Sequence, residues 1–478
     1  MSNMMLKKDH KEFNIDIIDG YFDHLLSYEY DNKRNLVIDT FNNEMELIDK
    51  GIYNELLNNW RKVDEEKLNY YANKFLSPKL NLGMNKIKEK YNEYLKENID
   101  HCYTFVICPT YTCNMRCIYC YQQGNENLSK NIITKQNLYK IFEYIESEVK
   151  RIKESDHDSC IVIELFGGEA FQIENREIIE QIFDFARKNK YYLSATTNGY
   201  EIEKFYDLFL KYNKYIATIA TTIDGDEKYH NSRRITKNRK GSFNEIVKNV
   251  DFLLDLGIKV ELYTNFDRDN LGELEKIIAL INKKQWDTRS NFWFKIGRVD
   301  DRLFETNYKS IISESELLEY IYVLSQKVKF PKNISLAFLK TCLFIAEKLN
   351  LSFNQNERGR QLFHYCWSTS PIQYVKYIDL NLNTFRCTYT VGRDELSLGT
   401  INLEDPKRNI FNKHGLLKLD ECKKCKLGGY CSGGCCLSYN TNKDRQCEEE
   451  KKNFDYFIKS FIIPILKIKR YEDEFNKN

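Results

Sequence analysis

A chain of 478 residues is longer than one compact domain usually holds, and it can bury a large core without help from disulfides. Lys+Arg 72 against Asp+Glu 70 leaves a net charge of +2, so bulk electrostatics give no reason to expect nucleic acid or a membrane surface as partner. Fifteen cysteines, a polar Met1–Asp16, and no run near the ~18 apolar residues of a membrane span predict a cytoplasmic protein whose clustered thiols bind metal.

Residues 1–100 contain no cysteine. Asn35–Asp39 predicts a short strand, Glu44–Asn59 a helix, and Lys86–Asn98 a charged amphipathic helix. Together they predict a small α+β module. From Tyr103 the pattern changes to alternating strands and helices. The expected strands are Tyr103–Cys108, Cys160–Phe166, Tyr192–Thr197, Tyr215–Ile223, Lys259–Asn265 and Asn291–Ile296. Helices are expected at Lys135–Arg151, Arg176–Lys188, Ile202–Tyr212, Phe243–Leu256 and Leu271–Asn282. Repeating β-α units of this length predict a parallel sheet with right-handed crossovers. The fold class is therefore α/β, a partial (β/α)6 TIM-like barrel over 101–300, with chemistry at the C-terminal strand ends.

Those strand ends carry the polar motifs. The first strand runs into Thr112–Tyr121, where Cys113, Cys117 and Cys120 are spaced C-x3-C-x2-C. Four thiolates normally hold an iron–sulfur cubane, so three local ones leave one iron for another ligand. A zinc knuckle or redox loop is the plainer reading of the same spacing. The next strand ends are Phe166-Gly167-Gly168-Glu169, Thr196-Thr197-Asn198-Gly199 and Thr222-Ile223-Asp224-Gly225. Each motif alone is common, but the four in order, led by the cysteine triplet, resemble the radical S-adenosylmethionine (SAM) superfamily, and specifically its peptide-modifying members. The stretch from Asp224 to Phe243 is similar to a further motif of that subfamily, with Asn231 in place of the usual Asp. The resemblance implies a SAM cluster on Cys113, Cys117 and Cys120. It implies SAM contacts from Tyr119, Gly167, Gly168, Glu169, Asn198, Thr222 and Arg234. His230 reads as a structural loop histidine.

Residues 301–361 interrupt the repeat. Helices are expected at Glu314–Lys329, opened by a Ser313/Glu316 capping box, and at Leu336–Asn350, with a linker at Ser352–Gln361. Cysteines then return over 362–450. The spaced core is C-x2-C-x5-C-x3-C at Cys422, Cys425, Cys431 and Cys435, which alone could be a zinc ribbon. With Cys366, Cys387 and Cys447 it resembles the SPASM domain, a carrier of two auxiliary clusters. That resemblance assigns Cys422, Cys425, Cys431 and Cys447 to one and Cys366, Cys387 and Cys435 to the other. Cys436, adjacent to Cys435, reads as an awkward co-ligand, so an open iron or a non-cysteine ligand is expected. Leu382 stands where the family usually has glycine, in a turn that asparagines could still support. Residues 451–478 are expected to end in a helix, Phe454–Tyr471.

The resemblance implies an enzyme with three [4Fe–4S] clusters and SAM, an external one-electron reductant of flavodoxin or ferredoxin type, and a ribosomally made precursor peptide as partner. Residues 1–100 would be a possible leader-peptide recognition region. The implied outcome is a thioether crosslink from a cysteine, with other peptide crosslinks or sulfatase-type maturation as alternatives. Against the last, Thr388 follows Cys387 where anaerobic sulfatase maturases carry an acidic base. A purely electron-carrying protein is the other class weighed; the strand-end motifs argue against it.

Overall fold

The computed structural model describes residues 19–468 except 76, 80, 99–100, 123–130, 306–307 and 350–362. The expected linker Ser352–Gln361 and the last residues of the expected Phe454–Tyr471 helix lie outside the described residues.

The N-terminal module is a three-stranded antiparallel sheet, β1 (Leu26–Glu29), β2 (Arg34–Asp39) and β3 (Glu44–Asp49), followed by helices Lys50–Asn58, Glu65–Lys74 and Asn81–Glu97. The helix expected over Glu44–Asn59 is therefore half strand. Its first six residues pair with β2 from Asp39↔Glu44 to Arg34↔Asp49. Period two decides the matter: Met45 and Leu47 face the main core, while Ile48 faces the module's own helices. Asp49 then caps the helix, accepting from Gly51 N at 2.8 Å. β2 alternates in the same way, with Leu36 and Ile38 turned to the main core and Val37 to the other face.

The central sheet contains all six strands expected from the sequence, adjacent and parallel: β4 (Cys102–Cys108), β6 (Cys160–Leu165), β7 (Tyr192–Thr196), β8 (Ile216–Thr222), β10 (Lys259–Phe266) and β11 (Phe292–Arg298). Two short strands, β5 (Met115–Cys117) and β9 (Arg234–Thr236), form a separate antiparallel pair. The six extend at both edges. β12 (Ile334–Leu336) adds parallel to β11, and β13 (Tyr374–Asp379) parallel to β4. Antiparallel strands β14 (Asn383–Phe385), β15 (Gly399–Thr400) and β16 (Leu403–Glu404) follow β13, so the sheet stays open. β4 (C-Y-T-F-V-I-C) is mostly apolar and is buried from Thr104 to Cys108. Arg176–Asn189 buries Ile178, Ile179, Ile182 and Phe183 against the sheet.

The capping box opening Glu314–Ser325 is present, with Ser313 and Glu316 bonded reciprocally. The second helix expected in this bridge is much shorter. Ile334–Leu336 is drawn into the sheet as β12, Leu339 takes a left-handed φ of 58°, and only Leu343–Lys348 is α-helical. Edge pairing outcompetes helix propensity there. The C-terminal helix begins at Lys443, before the expected Phe454, and passes through a π turn at Ile458–Ile462 next to Pro464, which has no N–H to donate.

The N-terminal module docks on the C-terminal region. Thr40 Oγ1 donates to Lys426 O at 2.8 Å, and Tyr430 OH to Asn43 Oδ1 at 2.7 Å. Backbones meet so closely that a Cβ on Gly429 would lie 1.9 Å from Thr40 O, so no other residue fits.

Candidate functional site

The cysteine loop follows β4 and is pinned on two sides. β5 within it pairs with β9 in register Cys117↔Arg234. Ile118 N donates to Arg233 O at 2.9 Å, and Lys237 N to Asn114 O at 2.9 Å. From the other side the G-G-E turn packs on it. Gly168 N donates to Thr110 O at 3.1 Å, and Glu169 N to Thr112 O at 2.9 Å. A Cβ on Gly168 would lie 2.2 Å from Thr112 O, and one on Gly167 2.4 Å from Thr110 O. The two glycines thus let one loop's backbone lie on another's, a more local reason than ligand access.

Cys113, Cys117 and Cys120 face one another within this frame. Burial pushes the Cys113 thiol up to about 12, with Glu169 adding to it and the Met115 N–H opposing. Asn198 Nδ2 donates to Asn114 Oδ1 at 2.7 Å and lies 3.7 Å from Cys113 Sγ.

Glu169 is buried between two strand ends. Its Oε1 accepts from Thr197 Oγ1 at 2.6 Å and Phe171 N at 2.8 Å, and its Oε2 from Asn198 N at 2.6 Å. The carboxylate therefore ties the G-G-E turn to the T-N-G turn, and Oε2 keeps a free lone pair. Burial raises its pKa against these three donors. Thr222 lies half-buried at the end of β8.

Sequence reasoning gave no role to Asp224, yet it is the hub of the next strand end. Its Oδ1 accepts from Asn265 N at 3.0 Å, its Oδ2 takes the Tyr119 hydroxyl, and both arginines approach it. Arg234, expected at SAM, and its neighbour Arg233 are both buried. Arg233 pairs with Asp267 at 2.7 Å, and its guanidinium lies 4.9 Å over the Tyr119 ring. Arg234 Nη1 donates to Tyr119 OH at 2.8 Å. Burial alone would depress the Arg234 pKa, but Cys117, Tyr119 and Asp224 together raise it, so it stays cationic beside the cysteine loop. His230 is structural as expected: Asp224 N donates to its Nδ1 at 3.3 Å, and Ser242 faces its Nε2 at 3.0 Å. Asn231 Oδ1 accepts from Ser242 N and Phe243 N at 2.9 and 3.1 Å, opening the next helix as the usual Asp could.

Among the described residues, the buried donors Asn114 Nδ2, Gln122 Nε2 and Arg234 Nε around the loop find no acceptor. A group bringing sulfide, thiolate and carboxylate acceptors would satisfy them, which fits an iron–sulfur cluster with bound SAM. Among the described residues no three His, Cys, Asp or Glu side chains are gathered around a single metal ion. A cubane, whose cysteines ligate different irons, needs wider spacing.

The C-terminal cysteines fall into two groups. Cys431 lies within electrostatic reach of Cys422, Cys425 and Cys447. Cys387 faces Cys366 and Cys435. Burial drives the thiols of both Cys387 and Cys422 up to about 12. Cys436, set apart in the sequence, faces Cys435, Cys366 and Cys387. None of the fifteen cysteines is in a disulfide. Leu382 holds a φ of 69°, so the leucine adopts the conformation glycine would have supplied. Asp379 offsets that strain by accepting from Asn381 N and Asn383 N, each at 2.8 Å. Tyr121 links the two regions: its ring lies 4.6 Å from that of Tyr389, and its hydroxyl is 3.2 Å from Thr388 Oγ1.

An open sheet of parallel strands with a cysteine triplet at one strand end is the architecture of SAM-cleaving enzymes. The family model described as Radical SAM superfamily matches residues 107–281. Over those residues the chain carries a radical SAM domain, a class of domain that uses a [4Fe–4S] cluster and SAM. It is 23% identical over 375 residues to the cysteine-type anaerobic sulfatase-maturating enzyme of Clostridium perfringens, a match covering 73% of this chain and 94% of that protein. The fold is similar to native anSMEcpe with bound AdoMet, at a TM-score of 0.55 and 19% identity, covering 79% of this chain and all of that one. It is also similar to Streptococcus suis SuiB bound to precursor peptide SuiA, at 0.51 and 15%, covering 89% and 97%. Among the described residues no helix is long and apolar enough to cross a membrane.

Proposed function

We propose that this enzyme modifies a ribosomally made peptide, joining a cysteine sulfur to carbon as a thioether. When bound at Cys113, Cys117 and Cys120, the reduced cluster and SAM supply a 5′-deoxyadenosyl radical able to abstract an unactivated hydrogen. The chain's own residues position and enclose. Arg234, cationic and with an unpartnered Nε, suits the SAM carboxylate, and the free lone pair of Glu169 and the amide of Asn198 suit its ammonium and ribose groups. Tyr119 holds Arg234 in place. Gly167 and Gly168 keep the turn close to the cysteine loop, and Thr222 adds a hydroxyl at the β8 end. Cys366, Cys387 and Cys435, and separately Cys422, Cys425, Cys431 and Cys447, suit two auxiliary clusters able to take the electron left on substrate.

The observation that carries the thioether reading is at Thr388. This residue follows Cys387, and its hydroxyl engages Tyr121. Among the described residues, the carboxylate within electrostatic reach of the neighbouring Tyr389 is Asp300, which is paired with Arg298 and Arg302 and so is a poor base for sulfatase-type chemistry. The relatives named for sulfatase maturation support that outcome as the second reading. Supporting a peptide substrate, SuiB was solved with precursor peptide SuiA, and its likeness spans more of this chain than that of anSMEcpe.

The test is anaerobic incubation of reduced enzyme and SAM with a panel of small cysteine-containing peptides, followed by mass spectrometry. The thioether reading expects loss of two hydrogens and a cysteine that resists alkylation after reduction. An aldehyde trapped by a hydrazine would instead establish the maturase reading. Failure to form 5′-deoxyadenosine with any peptide would sink both.

A further inference from the structure

Cys436 lies one residue beyond the spaced motif and is 2% exposed. Its side chain packs in one small cluster with Cys387, Cys435, Phe411 and Leu437. Cys366 lies within electrostatic reach of both Cys436 and Cys387. Four free thiols from three separate segments thus bound one space. Consecutive side chains diverge in a strand. Here they need not, because Cys435 is extended (φ −64°, ψ 121°) and Cys436 opens the helix Cys436–Thr441, so the chain bends between them. Two adjacent cysteines can then serve different corners of one cubane.

Further contacts suit a thiolate rather than a buried apolar thiol. Asn440 Nδ2 donates to Cys436 Sγ at 3.5 Å and to Cys436 O at 2.7 Å, fixing the side chain from outside the cluster. Trp367 Nε1, next to Cys366, is a buried donor with no acceptor among the described residues, as a cluster sulfide would provide. An inert core cysteine would explain the burial of Cys436 alone. It would not explain why three other free thiols and an amide donor converge on it.

We propose that Cys436 supplies the fourth thiolate of the cluster held by Cys366, Cys387 and Cys435, which closes that cluster to substrate. This rests on the auxiliary-cluster reading above, and it replaces the open iron expected from sequence spacing. A closed cluster exchanges electrons with the modified peptide but does not ligate its sulfur.

The experiment uses full-length protein with Cys113, Cys117 and Cys120 replaced by Ala, so that only the C-terminal region holds iron. Iron is counted, and the reduced electron paramagnetic resonance spectrum is recorded with and without 2-mercaptoethanol. With Cys436 intact, about eight irons and a thiol-insensitive spectrum are expected, since each cubane holds about four. Adding Cys436→Ala should either halve the iron or leave it in place with a spectrum that now shifts with added thiol. Unchanged iron and an unshifted spectrum in that variant would overturn the inference alone. So would a thiol-sensitive spectrum with Cys436 intact, a measurement that does not depend on the variant folding. Absence of iron from the starting protein would overturn the auxiliary-cluster reading and this inference with it.

Discussion

In the cysteine loop, Cys113, Cys117 and Cys120 come from one eight-residue stretch, and their orientation comes from outside it. The β5–β9 pair and the G-G-E turn clamp the loop from two sides. In the C-terminal region the thiols come from scattered segments, and much of the surrounding polypeptide is irregular. Order there comes from docking: the turn between β2 and β3 lies on the short helix Gly428–Cys431, and β13 fastens the region to the central sheet through β4. A site with local ligands needs only its neighbours held still. A site with distant ligands needs the whole chain assembled, so damage far away should reach it.

The largest contrast comes from removing thiols. Replacing Cys113, Cys117 and Cys120 by Ala should abolish 5′-deoxyadenosine formation while lowering iron by only about one-third, on a three-cluster count. Iron and product analysis checks this, and loss of all iron would show that the two regions are not independent. Conversely, Cys387→Ala should still cleave SAM but release no crosslinked peptide. Full product formation would break the division of labour.

Arg234→Lys probes the clamp on the cysteine loop. Lysine keeps the charge but loses the planar fork that meets Tyr119 and aims the unpartnered Nε. SAM binding should weaken by about 10- to 100-fold, as for other residues that support a metal site, with iron unchanged. Equilibrium dialysis with labelled SAM would show it, and unaltered affinity would remove Arg234 from the site.

The cysteine loop and the six strands ending around it were legible from sequence because β-α periodicity and strand-end motifs are local signals. Asp224 was quoted within a motif, but its role as hub was hidden, because it depends on Tyr119, Arg233, Arg234 and Asn265 converging from different elements. β3 was misread as helix because E-M-E-L-I-D also satisfies helical spacing, and only pairing with β2 breaks the tie. Cys436 was set aside by an argument from adjacency, which takes no account of the bend at Cys435.

A smaller effect tests the docking side of the comparison. Gly429→Ala would place a Cβ 1.9 Å from Thr40 O, forcing the N-terminal module off the C-terminal turn. Overpacking of this kind costs about 1–3 kcal/mol, and Tm should fall by several degrees. Limited proteolysis should cut between module and core sooner than in the unaltered enzyme, with SAM cleavage much less affected. An unchanged Tm would mean the docking contributes little.

The smallest expected effect isolates the frame of the cysteine loop from its cofactors. His230 is buried and neutral, with Nδ1 accepting from Asp224 N and the proton assigned to Nε2, toward Ser242. Burial first, then the Arg234 and Arg233 cations, hold its pKa well below the ordinary 6.5. Below pH 6.5 the unfolded chain takes up a proton there that the folded chain refuses. The stabilisation is therefore complete above pH 6.5 and declines as pH falls, at up to about 1.4 kcal/mol per pH unit. Glutamine can offer the same acceptor and donor without titrating. Denaturant unfolding at pH 7, 6 and 5 should accordingly show a shallower loss of stability for His230→Gln than for the unaltered enzyme. Acid lability of bound clusters is common to both proteins and drops out of the difference. Identical slopes would mean that His230 ionises in place, and that the Asp224–His230–Ser242 link yields before the strand end it supports.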